Sequence, residues 1–273
     1  MTLTMRALAS LAGTALVLAV AAATAGEPSR WDEIREMLFE GRTLEDAGGL
    51  LELEAPQRAL DAALVPVRVR AAEGVQVRTF WLVIDENPAP LAAVVHLDPA
   101  KVVPDIETRV RVNAYTPFHA VAETADGGLL VAERFVKAAG GCSAPGTRDP
   151  KEALARVGRM KLRAAGPVEP GKPATFTLKI AHPNYTGLQI DQLTRQWIPP
   201  DYVTRVTVRV GGEPVLVIDG DISISEDPTF TFTLREAPAG EIRVEVEDSS
   251  GRRFAEDFRP AAAEAERAAQ SHS

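Results

Sequence analysis

One cysteine, Cys142, stands in a chain of 273 residues. The chain alone therefore forms no internal disulfide, no cysteine-based zinc centre and no iron–sulfur cluster. Histidine is almost as scarce. His96, His119, His182 and His272 fall in separate segments, and no two have the spacing of a metal-ligating pair. His96 and His119 read as satisfied strand or turn residues, and His182-Pro183-Asn184 as the opening of a polar loop. Aromatics are sparse at 5%. Positive charge is in deficit, 30 Lys and Arg against 38 Asp and Glu, which argues against a nucleic-acid partner whose phosphates must be neutralised. No Gly-x-Ser-x-Gly elbow and no glycine-rich phosphate loop opening a helix occurs. Glu226-Asp227, after Ser223 and Ser225, lacks the ligand spacing of a calcium loop. No metal and no cofactor is expected.

Long apolar runs are confined to the N-terminus. Met1 to Ala25 carries one early arginine (Arg6), an apolar stretch over 7–23, and Ala23-Thr24-Ala25 before Gly26. This is the pattern of a cleavable export signal over 1–25, short and Ala-rich for a membrane span. The mature chain is expected to be periplasmic and free of the membrane.

The rest is punctuated by turns. Ser29 can cap a short helix whose Trp31, Ile34, Leu38 and Phe39 share a face. Period-two segments follow at 64–70, 75–85, 91–96, 106–112, 118–123 and 129–136. They are separated by Glu73-Gly74, Asn87-Pro88, Asp98-Pro99 and Asp126-Gly127-Gly128. The pattern breaks over 138–150, where Asp149-Pro150 can start a helix over about 151–157. A second series follows at 160–164, 174–182, 202–210, 214–218, 230–235, 241–247 and 253–258. About seven short strands in roughly 100 residues is the spacing of an immunoglobulin-like sandwich. The expected fold is all-β: two immunoglobulin-like β-sandwich domains in tandem, over 27–142 and 159–260, with a short N-terminal helix, a linker over 143–158 and a flexible tail over 261–273.

Cys142 lies in Ala139-Gly140-Gly141-Cys142-Ser143-Ala144-Pro145-Gly146. A free cysteine is usually a small buried hydrophobe. Here the flanking glycines, Ser and Pro offer no helix or strand to carry the thiol into a core. The segment reads as a flexible arm (Gly140, Gly141, Ser143) that presents Cys142 to solvent or to a partner's pocket. An exposed thiol in an oxidising compartment also invites a disulfide dimer. Adventitious dimerisation and local burial are the bland alternatives. The chemistry open to a thiolate is nucleophilic attack and S–S bond formation. No base or oxyanion-hole motif accompanies it, which disfavours a stand-alone thiol enzyme.

Two sets of residues carry a resemblance. In the first half these are Val65-Pro66-Val67, Asn87-Pro88-Ala89-Pro90, Thr108-Arg109-Val110-Arg111-Val112, Val121-Ala122-Glu123, Asp126-Gly127 and Gly140-Gly141-Cys142. In the second half they are His182-Pro183, Thr186-Gly187-Leu188, Ile198-Pro199, Tyr202-Val203, Gly211-Gly212, Ser223-Ile224-Ser225, Pro228-Thr229-Phe230 and Phe232. The first half resembles the Y subunit and the second the Z subunit of the thiosulfate-oxidation carrier SoxYZ. The whole is similar to fused SoxYZ-like carriers associated with quinoprotein (PQQ) dehydrogenases.

The resemblance implies a non-enzymatic carrier. Cys142 would bear a sulfur-linked intermediate on a swinging arm, and the partners would be periplasmic redox enzymes: sulfur-oxidation enzymes, or a PQQ dehydrogenase with its cytochrome. A non-covalent accessory or assembly module for such a dehydrogenase is the alternative. The sequence departs from the family at Ser143-Ala144, which replace trailing glycines, and the arm continues into a second domain. Fusion makes the association of the halves intramolecular, so a monomer is expected.

Overall fold

A computed structural model describes residues 29–260. The export signal expected over 1–25 and the tail expected over 261–273 lie outside the described residues. In chain order the elements are α1 (Arg30–Phe39), β1 (Glu45–Asp46), β2 (Leu51–Glu54), β3 (Val65–Ala71), β4 (Val77–Ile84), β5 (Leu91–Leu97), β6 (Val102–Val110), β7 (Thr116–Thr124) and β8 (Leu129–Val136). Then come α2 (Pro150–Ala155), β9 (Met160–Ala164), β10 (Ala174–Ile180), β11 (Val203–Val210), β12 (Glu213–Gly220), β13 (Thr229–Leu234), β14 (Ile242–Asp248) and β15 (Arg253–Phe258). No described helix is long and apolar enough to cross a membrane.

The fold is all-β with few helices, as expected, and its strands follow from their side-chain alternation. β10 and β14 place every second residue inside, the mark of a strand with one face on a core. The run Phe80–Ile84 of β4 breaks that alternation because both faces of the strand are covered there. On the outer face, α1 lays Phe39 against Val121 and Leu129, with Trp31, Leu38 and Trp81 around them. Ser29 and Asp32 close a reciprocal capping box at its start. His119 sits under this helix, stacked on Trp31 at 3.8 Å and bonded to Asp85 at 3.0 Å. It is a satisfied structural histidine.

The halves follow one another in tandem, as expected, and they are also paired edge to edge. The strands form two continuous sheets that run through both halves. One has nine strands, in the order β1-β8-β7-β4-β5-β12-β11-β14-β15, and the other six, β2-β3-β6-β13-β10-β9. The seam consists of two antiparallel ladders. β5 pairs with β12 from Leu97↔Leu216 to Ala93↔Gly220. β6 pairs with β13 from Glu107↔Thr231 to Val102↔Leu234. One buried apolar cluster between the sheets includes residues of both halves, among them Val65, Phe118, Leu178 and Val244. The physical reason is edge protection: sheets of five, four, three and three strands would otherwise each leave an unpaired edge strand at the seam.

Candidate functional site

The segment around Cys142 lies against the seam, and a knot of short polar side chains builds the floor beneath it. Asn87, after β4, is buried and donates through Nδ2 to the Arg111 carbonyl (2.8 Å) and to Ser223 Oγ (2.9 Å). Its Oδ1 accepts from the Asn113 amide at 2.8 Å. Ser223 Oγ donates to the Ala89 carbonyl (2.8 Å) and Ser225 Oγ to the Ala63 carbonyl (2.7 Å). The Arg111 amide donates to the Ser223 carbonyl at 2.8 Å. Each bond involving Ser223 or Ser225 joins the first half to the second, so β6 leaves its sheet with residue 111 fixed in place.

Gly140 and Gly141 are locked onto this floor. The Gly140 amide donates to the Asn113 carbonyl (2.9 Å) and the Gly141 amide to the Val112 carbonyl (2.8 Å). Gly140 has φ +80°, a conformation that glycine adopts without strain. At Gly141 a Cβ would lie 2.0 Å from the Ala62 carbonyl oxygen and 2.8 Å from the Val112 nitrogen. These glycines serve a tight turn and a close backbone approach, whereas the sequence reads them as a flexible arm.

The second half grips the segment from the other side. Thr186 Oγ1 donates to the Cys142 carbonyl at 2.6 Å, and Gln189 Nε2 to the Ala144 carbonyl at 2.9 Å. Thr147 donates through its amide (2.8 Å) and hydroxyl (2.9 Å) to the two carboxylate oxygens of the buried Glu226. Ser143 is exposed, and its hydroxyl donates back to the Gly140 carbonyl at 3.3 Å.

Cys142 itself is 0% exposed. This corrects the expectation of a solvent-presented thiol, and in this conformation it also removes the route to a disulfide dimer. Gly141 and Cys142 are buried without belonging to a helix or strand, while Ala139, Gly140 and Ser143 around them are exposed. Burial pushes the thiol up to about 11 against the opposing pull of Arg111. At neutral pH the folded, closed state therefore holds the thiol rather than the nucleophilic thiolate.

Arg111 is the group that sequence reasoning missed. It was visible only as part of a strand motif. Its side chain is among the largest fully buried ones in the protein. Nη1 donates to the Gly141 carbonyl at 3.2 Å, and Nη2 reaches the Asn184 carbonyl at 3.5 Å. Nε has no partner among the described residues. Burial lowers its pKa, and the fields of Glu226, Cys142 and Asp61 oppose that shift. A guanidinium nevertheless stays charged.

A second polar cluster underlies the gripping loop. His182, Asp201 and Asp248 bring ligand atoms within 4.8 Å of one another. The Arg252 guanidinium supplies the positive charge there, bonding both oxygens of Asp201 at 2.6 Å and Asp248 Oδ2 at 2.6 Å. Burial lowers the His182 pKa, so the ring is neutral, and Nδ1 accepts from the Asn184 amide at 3.1 Å. Asn184, in the left-handed region at φ 45°, then ties Ile224 and Val203 together. His182 thus shapes the loop that carries Thr186. His96 stays near the surface beside Thr79 and Asp219, away from the seam.

Comparison with known proteins follows this division into halves. Residues 35–142 match the family Sulfur oxidation protein SoxY, and residues 162–259 match Sulphur oxidation protein SoxZ. The SoxY match ends on Cys142. No curated protein matches. Among solved structures, the sulfur carrier protein SoxY from Chlorobium limicola f thiosulfatophilum aligns at 22% identity and TM-score 0.35, covering 40% of this chain and 94% of that one. A superoxide reductase (neelaredoxin) from Ignicoccus hospitalis aligns at 18% identity and TM-score 0.28, covering 32% of this chain and 78% of that one. The two family matches, in order and with Cys142 at the end of the first, identify the chain as a tandem fusion of a SoxY domain and a SoxZ domain in the sulfur-oxidation carrier family.

Proposed function

We propose that the protein is a periplasmic covalent carrier that presents a sulfur-linked group on Cys142 to partner redox enzymes and performs no turnover itself. The observation that carries this reading is the place of the chain's single cysteine: last residue of the SoxY match, in a segment held by both halves. Loading requires release of residues 140–144 from Val112, Asn113, Thr186, Gln189 and Arg111. The freed thiolate then forms an S–S bond with a thiosulfate-class sulfur anion, and two electrons leave to the partner redox enzyme. The expected partners are sulfur-oxidation enzymes or a PQQ dehydrogenase with its cytochrome. Intact mass of the protein purified from its native host tests this: an adduct on Cys142 is expected. An unmodified thiol there, together with a fully functional Cys142→Ser strain, overturns it.

The burial of Cys142 favours a second reading, a non-covalent accessory module for a periplasmic quinoprotein dehydrogenase. Co-purification with such a dehydrogenase that survives Cys142→Ser supports that reading over the first.

A further inference from the structure

The guanidinium of Arg111 is out of water and beside the carrying cysteine, yet no carboxylate among the described residues lies at ion-pair distance from it. Its two hydrogen bonds go to neutral carbonyls, those of Gly141 and Asn184, and its Nε is unpartnered among the described residues. Glu226 and Asp61 act on it only through space, and both oxygens of Glu226 accept from Thr147. A charge in this position is costly unless something pairs with it. The thiol does not pair with it, because it is neutral at working pH. The chain therefore keeps a buried cation with a donor to spare at the one place where a cargo would sit.

We propose that Arg111 is an anion-binding residue for the group carried on Cys142, pairing with the negatively charged end of a sulfonate-type adduct when the segment is closed. The inference rests on the carrier reading for its ligand. It adds the residue that distinguishes the loaded from the empty closed state. An anionic adduct supplies the missing counter-ion and favours closure. A neutral adduct of similar length adds bulk and no charge.

Two thiol reagents separate these effects. With tetrathionate the Cys142 thiolate attacks a central sulfur, forming Cys–Sγ–S–SO3− and releasing thiosulfate dianion. With methyl methanethiosulfonate it attacks the thiomethyl sulfur, forming the neutral mixed disulfide Cys–Sγ–S–CH3 and releasing methanesulfinate. Both loadings balance without a further oxidant. Loading is done in denaturant, followed by refolding of the full chain and confirmation by intact mass. The thermal midpoints of the two adducts are then compared.

The wild-type anionic adduct is expected to melt at least about 4 °C above the neutral one. Arg111→Met is expected to abolish or invert that difference, and Arg111→Lys, which keeps the charge, to preserve its sign. Equal midpoints for the two wild-type adducts, or an undiminished difference in Arg111→Met, overturn the proposal. Should Arg111→Met fail to fold, the wild-type comparison decides alone. A native-host adduct on Cys142 with no anionic preference sinks this inference and leaves the carrier reading standing. An anionic preference without any native adduct does the reverse.

Discussion

The hydroxyl of Thr186 donates to the carbonyl of Cys142 at 2.6 Å, so a side chain of the SoxZ half holds the last residue of the SoxY half. Thr186 is itself fixed: its amide donates to Gln189 Oε1 at 3.0 Å and its hydroxyl accepts from the Leu188 amide at 3.1 Å. A buried hydrogen bond of this kind contributes about 1–1.5 kcal/mol, and leaving its acceptor unpaired costs about as much again. Thr186→Val is therefore expected to speed alkylation of Cys142 by iodoacetamide roughly tenfold or more at fixed pH. An unchanged rate would show that segment 140–144 opens without breaking this contact.

The thiol gives the protein a pH dependence on the alkaline side. Its folded pKa, about 11, lies above the ordinary value of 9.0. Between those values the unfolded chain has lost the thiol proton while the folded chain keeps it. Stability therefore falls as pH rises, by about 2–3 kcal/mol at full extent. Denaturant midpoints at pH 8 and pH 10.5 should separate for the wild type by more than for Cys142→Ala. The alanine variant subtracts the contribution of Tyr185 and Tyr202, whose pKa values burial also raises.

The two glycines before the cysteine should respond unequally to added methyl groups. Gly141→Ala drives a Cβ into the Ala62 carbonyl, which cannot yield without moving backbone. A loss of about 3 kcal/mol or more is expected, or expulsion of the segment with a reactive Cys142. Gly140→Ala meets no neighbouring atom and carries only the left-handed backbone cost, about 1–2 kcal/mol. Circular dichroism melts combined with thiol labelling distinguish these outcomes. A free arm would tolerate both changes equally.

Asn87 makes three buried hydrogen bonds around the seam, one of them to Ser223. Asn87→Ala leaves two backbone groups and a serine hydroxyl short of partners, so destabilisation of about 2–4 kcal/mol is expected. The two halves share both sheets. Calorimetry should therefore show one transition that moves to lower temperature as a unit. Two transitions, with only one displaced, would mean that the halves unfold independently despite the ladders between them.

Most strands were legible from alternation alone. The segments at 129–136, 160–164 and 253–258 coincide with β8, β9 and β15. β1 and β2 were not read: two residues of parallel pairing show no period, and Leu51–Glu54 alternates cleanly but over four residues only. The seam was also invisible. Side-chain alternation says which face of β5 or β12 is buried and nothing about which edge each strand seeks. Asn87, Ser223 and Ser225 stood out as motif residues, but their partners lie more than 130 positions away in the chain or across the other half. Gly140-Gly141 misled for a physical reason: the same residue type serves flexibility and close packing, and only the neighbouring Ala62 carbonyl shows which applies. Arg111 carried no signal, because an arginine in an alternating strand reads as an outward charge.

The two ladders between the halves set a working radius for the sulfur. With β5 bonded to β12 and β6 to β13, the halves cannot hinge apart to expose the site. Any excursion belongs to the chain between Val136, where β8 ends, and Pro150, where α2 begins. Six residues at roughly 3.3–3.6 Å each carry Cys142 at most about 20 Å from the end of β8, with the contacts to Thr186, Gln189 and Arg111 and the backbone bonds of Lys137, Gly140 and Gly141 all released. An enzyme whose reactive centre lies deeper than that from its own rim is out of range. A partner must bring a shallow centre, or a mouth wide enough to admit the rim of the sandwich.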